Sequence, residues 1–141
     1  EGAQLFRLFT QMLDNLHALL EQIESLDLKR MDNVRTRLRQ HLSTLSSEIK
    51  IDENRFEQEM LYYMEKLDIA EEKNRLATHL KYFSETMQQA SSGRKLGFIS
   101  QEIGREINTI GAKSNDADMQ KCVVLMKDEL ERIKEQLNNI E

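Results

Sequence analysis

Proline and tryptophan are absent from this chain, cysteine occurs once and glycine only five times. Aromatic residues make up 6 % of the sequence, too few for the usual β-sandwich or barrel, whose strands draw on aromatic and β-branched side chains. The longest uninterrupted apolar run, Cys122 to Met126, is far short of a membrane span. No secretory leader is visible, although the chain opens Glu1-Gly2-Ala3 without a methionine, which leaves room for a processed chain or a fragment. The lone Cys122 stands beside Val123 and Val124 and reads as a small buried hydrophobe in a reducing compartment. A catalytic thiolate is the alternative, but it requires a partner base and a polar setting.

What remains is a sequence of 141 residues dominated by Leu, Glu, Lys, Gln, Met and Arg, long enough for one domain with a real core. An all-α fold follows: long antiparallel helices forming hairpins or a bundle, with coiled-coil-like seams. Leu5, Phe9, Met12, Leu16, Leu19, Ile23 and Leu26 alternate spacings of four and three. Ser25-Leu26-Asp27 offers a break, after which a basic helix carries Met31, Val34, Leu38, Leu42, Leu45 and Ile49. Asp52 caps a third helix with Phe56, Met60, Tyr63 and Leu67. Asp68-Ile69-Ala70-Glu71 has the form of a capping box ahead of Leu76, Leu80, Phe83 and Met87, though this stretch also suits an unbroken continuation. After a loop at Gln88 to Gly93, a helix from Lys95 to Ile110 is closed by Gly111 as its C-cap, with Phe98, Ile99, Ile103, Ile107 and Ile110 inward. Beyond Ser114-Asn115-Asp116, the last seam runs through Met119, Val123, Met126, Leu130, Ile133, Leu137 and Ile140. The expected division is a helical hairpin arm over 1–67 and a C-terminal helical domain over 68–141. The seven methionines, most of them on the seams, read as core fillers rather than ligands.

The net charge of −5 is segregated. Glu48 to Glu72 holds nine acids and three bases, whereas Asp27 to Arg39 holds five bases and two acids. Ser91 to Asn115 holds four bases and two acids. Two basic islands in an acidic chain suit a polyanion partner, and equally suit helix faces that pair with acidic neighbours.

The segment SGRKLGFISQEIGREINTIGAKSND, Ser92 to Asp116, concentrates four glycines and four cations. Gly97 and Gly104 fall mid-helix, where glycine is costly and usually marks close approach of a neighbouring backbone or ligand. Glu102 and Glu106 lie one turn apart and can share a divalent cation such as Mg²⁺ or Mn²⁺, or can be surface glutamates balanced by Arg105. Arg94 and Lys95 at one end, with Lys113 and Asn115 at the other, would meet a phosphate chain laid along the helix. Upstream, Asp68, Glu72, Arg75 and His79 step four, three, four and share a face. His79 is a candidate metal ligand or proton-transfer group, and if its face met Glu102 and Glu106 the cluster would suit a hydrolytic metal site.

The run GRKLGFISQEIGREINTIGAKSND resembles the signature of the YicC/YloC family of bacterial proteins, usually of the form GRKLDFLxQEMNREANTIxSK. Asp68-Ile69-Ala70-Glu71-Glu72, Arg75-Leu76 and His79-Leu80 resemble its upstream DIxEExxRLxxHL pattern, and ELERIKEQLNNIE resembles its C-terminus. Gly97 and Gly104 depart from the common aspartate and asparagine. The resemblance implies the C-terminal helical part of a metal-dependent, manganese-favouring, cytoplasmic endoribonuclease that assembles as a hexamer and carries an N-terminal α/β domain. By matching position it implicates His79, Glu102 and Glu106 in catalysis. Arg94, Lys95, Arg105, Asn108 and Lys113 would bind RNA, and Glu102, Glu106, His79, Asp68 and Glu72 would hold the metal. Two other expectations remain open: a non-catalytic RNA-binding adaptor that recruits RNA-degradation enzymes, and a helical oligomerisation module.

Overall fold

The structure, a computed structural model, describes residues 2–46, 52–114 and 116–140. These form five helices with no strand among them: α1 (Gly2–Ser46), α2 (Glu53–Leu67), α3 (Ala70–Thr86), α4 (Gly93–Lys113) and α5 (Ala117–Ile140). α2 and α3 both run opposite to α1: Arg30 meets the Leu67 carbonyl, Asp27 meets Lys73 and Phe9 meets Phe83, while α4 turns back along α3, with Glu106 at Arg75 and Lys113 at Glu72. The first seam lies against the last: Cys122 donates to Gln22 across 3.5 Å, while Leu8 and Met12 lie beside Arg132 and Gln136, so α1 and α5 run in opposite directions. Phe9 of α1 meets Phe83 of α3 edge-on at 5.5 Å.

One hydrophobic cluster joins the first half of α1, from Phe9 to Ile23, to residues of α3, α4 and α5. That cluster crosses the expected division at residue 67. The second half of α1 extends beyond the four-helix bundle and pairs with α2 as a hairpin arm. The arm is thinly packed: Met60 and Met64 are buried, whereas Met31, Val34, Leu38 and Leu42 are half-buried and Leu45 is exposed. Ile49 lies outside the described residues. Met64, not Tyr63, completes the buried face of α2, and Tyr63 is half-exposed.

Three expectations about helix ends need correction or are now decided. The break at Ser25-Leu26-Asp27 does not occur, and α1 is continuous. Asp27 is buried and gives its oxygens to Arg30 at 2.7 Å and Lys73 at 3.1 Å, so its side chain serves a tertiary contact rather than a cap. At Asp68 the chain does turn: its side chain accepts from the Ala70 N–H at 3.0 Å and separates α2 from α3. Asp52 caps α2 as expected, accepting from Asn54 and Arg55. Gly111 is not a C-cap, because α4 continues through it to Lys113. Phe98, expected inward, is 63 % exposed, and Leu96 is buried in that turn instead.

The glycines of α4 divide by face. A Cβ on Gly104 would stand 3.2 Å from Leu130, and one on Gly111 would stand 3.1 Å from Val123. These two positions, seven residues apart, let α5 approach α4 closely. A Cβ on Gly97 would meet no atom within 4 Å. Gly97→Ala should therefore raise unfolding stability by up to about 1 kcal/mol, the helix-propensity difference. Gly111→Ala should be no more stable than the parent, since buried Val123 is β-branched and cannot turn aside. Thermal melts of both variants check this.

Candidate functional site

The α3–α4 contact is where the structure buries charge. The periodicity that places Glu72, Arg75 and His79 on one face of α3 turns that face toward α4. Glu72 and Glu106 are 4 % and 7 % exposed. Arg75 donates through Nε to both carboxylate oxygens of Glu106, at 3.2 and 3.1 Å, and through Nη1 to Glu71 at 3.3 Å. The His79 Nε2 lies 4.0 Å from Glu106 Oε2. Lys113, at the far end of α4, donates to Glu72 at 3.0 Å and to the Asp68 carbonyl at 3.1 Å. The hydrogen bond to Glu106, reinforced by its charge, pushes the Arg75 guanidinium above its already high ordinary pKa, so it stays protonated throughout the working range.

A second buried web adjoins the first. Arg30 donates to Asp27, to the Lys113 carbonyl at 3.1 Å and to the Leu67 carbonyl at 2.6 Å. The last carbonyls of α2 and α4 lack helical partners, and one guanidinium satisfies a carbonyl at each end. Arg30 is therefore a structural staple and is withdrawn from the basic island over Asp27–Arg39. Lys29, Arg35, Arg37 and Arg39 remain exposed on α1.

The expected site residues fall into four groups. Glu72, His79, Glu106 and Lys113 are brought together at the α3–α4 seam. Glu102 takes a different partner, Arg105 at 3.6 Å, and is half-exposed. Asp68 contributes its carbonyl to Lys113, while its side chain accepts from the Ala70 N–H, the N-cap position of α3 being Ile69. Arg94, Lys95, Arg105 and Asn108 are exposed along the outer edge of α4, with the Lys95 ammonium 5.9 Å from the Tyr82 ring. Asn115 lies outside the described residues. Arg75 was legible as part of the upstream row but not as its centre; its spacing of four from Glu71 and three from Glu72 was the available signal. The Asp27–Arg30 spacing of three was the corresponding sign of the staple.

Among the described residues, no group of three or more His, Cys, Asp or Glu side chains is arranged to hold a metal ion. Arg75 engages both oxygens of Glu106 and Lys113 engages one of Glu72, while Glu72 Oε1 is the single buried carboxylate oxygen of this contact without a partner. The carboxylates thus meet protein cations where metal ligation would need them open, and a preassembled multi-carboxylate centre does not fit this arrangement. Cys122 is a buried thiol whose pKa is pushed up, first by burial and then by Asp118, which matches the hydrophobe reading. No helix among the described residues is long and apolar enough to cross a membrane.

These features define an all-α protein with a buried ionic seam between α3 and α4. A family model described as "Endoribonuclease YicC-like, C-terminal" matches residues 23–141. The chain belongs to that family. It is 38 % identical over 143 residues to a protein of Clostridioides difficile named "Probable endoribonuclease YicC", and 33 % identical over 142 residues to one of the same name from Haemophilus influenzae. All of the chain is covered in both alignments, and it spans 49 % of each relative's length.

Breaking the Lys113–Glu72 pair leaves a buried carboxylate with a weakened partner set. Lys113→Met should lower stability by about 2 kcal/mol, and adding Glu72→Gln should restore about half of that loss. Denaturant unfolding of the two single variants and the double variant measures the coupling.

Proposed function

We propose that this chain binds RNA and takes part in cutting its phosphodiester bonds, with the α3–α4 surface as the place of both. The observation that carries this reading is the trio Arg75, His79 and Glu106: a buried carboxylate beside an outward-reaching guanidinium and a part-exposed imidazole. The family's name and the relatives' names supply the reaction class. A guanidinium held in place by a carboxylate is a ready phosphate ligand. An imidazole is the side chain that exchanges a proton near neutral pH, and within reach of a ribose 2′-hydroxyl it would act as general base. The 2′-oxygen would then attack the adjacent phosphorus while the 5′-oxygen leaves and takes a proton from solvent. The products are a 2′,3′-cyclic phosphate and a 5′-hydroxyl end.

Arg94, Lys95, Arg105 and Asn108 would carry the strand along α4, and the exposed cations of α1 would extend the track. Tyr82 beside Lys95 offers a face on which a base can stack. In this reading Mn²⁺ or Mg²⁺ has the lesser part of screening and positioning the bound strand. Asp68, Glu72, His79, Glu102 and Glu106, the ligands that the resemblance implies, do not form a preassembled set for it, because Arg75 and Lys113 pair with Glu106 and Glu72. The lone reduced thiol agrees with a cytoplasmic setting, and a homo-oligomer, the hexamer of the resemblance, would juxtapose several such surfaces.

A labelled single-stranded RNA, incubated with the parent chain, His79→Asn and a Glu102→Gln/Glu106→Gln double variant, tests this. Both variants should lose cleavage by about a hundredfold or more while retaining RNA affinity. Chelation of Mn²⁺ should cost less than loss of His79. Binding without any cleavage by the parent would favour the adaptor reading, and no RNA affinity at low salt would favour an oligomerisation module. Affinity should fall as salt rises, by about 0.7 in log–log slope for each phosphate neutralised.

A further inference from the structure

The start of α4 and the end of α5 enclose an open cavity of about 370 Å³, on the opposite side of α4 from the α3 contact. Its walls are Arg94, Phe98, Ser100, Gln101, Lys134, Leu137 and Asn138, with Gly93 and Gly97. Three properties set it apart. Among the described residues no carboxylate lines it, in a chain with more acids than bases, while two cations do. Lys134 has a loose pairing with Glu131 at 3.8 Å, and Arg94 has no carboxylate within ion-pair distance among the described residues. Phe98 is 63 % exposed although it sits in a helix whose other large apolar residues are buried.

Gly97 supplies the third property. Gly104 and Gly111 are explained by the closeness of α5, whereas nothing stands over Gly97. A glycine inside a helix, facing open space within a lined cavity, leaves backbone bare for something outside the protein to approach. Two side-chain amides, Gln101 and Asn138, flank that floor and can each donate and accept, which is what the edge of a nucleobase requires.

We propose that this cavity is a nucleotide-binding subsite: a base of a bound RNA lies over Gly97 against the Phe98 ring, with Gln101 and Asn138 at its edge and Arg94 and Lys134 at its phosphate. The size is within the range of small-ligand pockets. Gly97 and Glu106 are nine residues apart, about 14 Å along the α4 axis, so a strand crossing α4 reaches both places. The subsite deepens the reading of the α3–α4 surface as an RNA-handling site and rests on it for the identity of the strand. Its own function is to hold a nucleotide away from the scissile bond and so set where along the strand the cut falls.

The test uses the full chain with Phe98→Ala and Gly97→Asp, neither of which disturbs a packed atom. Each should weaken binding of a single-stranded RNA by about tenfold, the equivalent of one stacked base, without lowering the melting temperature. The spacing of cleavage products should become less regular. Unchanged RNA affinity in both variants, with cleavage intact, would overturn the subsite while leaving the proposed function standing. Should the parent bind no RNA at all, the functional reading fails separately, and an NMR titration decides the subsite by itself. Adenosine, guanosine, cytidine and uridine 5′-monophosphates are added in turn, beside inorganic phosphate. Saturable shifts at the Gly97 amide and the Gln101 and Asn138 side chains with at least one nucleotide, absent with phosphate, support it. Equal shifts with phosphate alone, or none with any nucleotide, contradict it.

Discussion

Two carboxylates, Glu72 and Glu106, are buried between α3 and α4, beside the buried pair of Asp27 and Arg30. A buried carboxylate without a partner is costly enough to undo a domain, so its partners are fixed as firmly as core side chains. Arg75 and Lys113 are those partners, and their placement determines much else. Arg75 is held with its guanidinium half in solvent, and Lys113 ties the end of α4 to the start of α3. Through the Lys113 carbonyl, Arg30 then joins α1 and the end of α2 to the same junction. The arm, the bundle and the candidate site thus meet at a chain of charge-assisted hydrogen bonds.

α4 divides its residues among four sides. Ile99, Ile103, Ile107 and Ile110 enter the core, Gly104 and Gly111 admit α5, and Glu106 faces Arg75 and His79 of α3. The outer edge is left to Arg94, Phe98, Arg105 and Asn108. A segment that must pack into the core and admit a second helix at close range cannot also be optimised for helix propensity. Four of the chain's five glycines lie in α4, two of them at its crossing with α5.

Much of this was legible beforehand. The alternating seams of α1 and α5 predicted long antiparallel helices, and Phe9, Leu16, Ile23, Met119 and Met126 are buried as their spacing required. What failed were signals with two physical uses. Asp27 is a good cap residue, but a buried cross-helix partner such as Lys73 competes for the same oxygens, and only tertiary structure shows which wins. Gly111 looked like a helix terminus because a C-cap and a close helix crossing both select glycine. Glu102 and Glu106 had the spacing of a metal pair, yet spacing along one helix does not report that Arg75 stands opposite. The row Glu72, Arg75 and His79 was visible as a face; that it confronts Glu106 and Lys113 depends on the register of α3 against α4, which local pattern does not encode.

The measurement that bears most directly on the account is a structure of the chain bound to a short RNA whose 2′-hydroxyls are methylated, so that it binds without being cut. The account places a phosphate within hydrogen-bond distance of Arg75 and a ribose 2′-oxygen facing His79, with the strand passing along the outer edge of α4. A strand bound to the α1–α5 face or confined to the arm, with Arg75 still wholly engaged by Glu106 and His79 untouched, would contradict it.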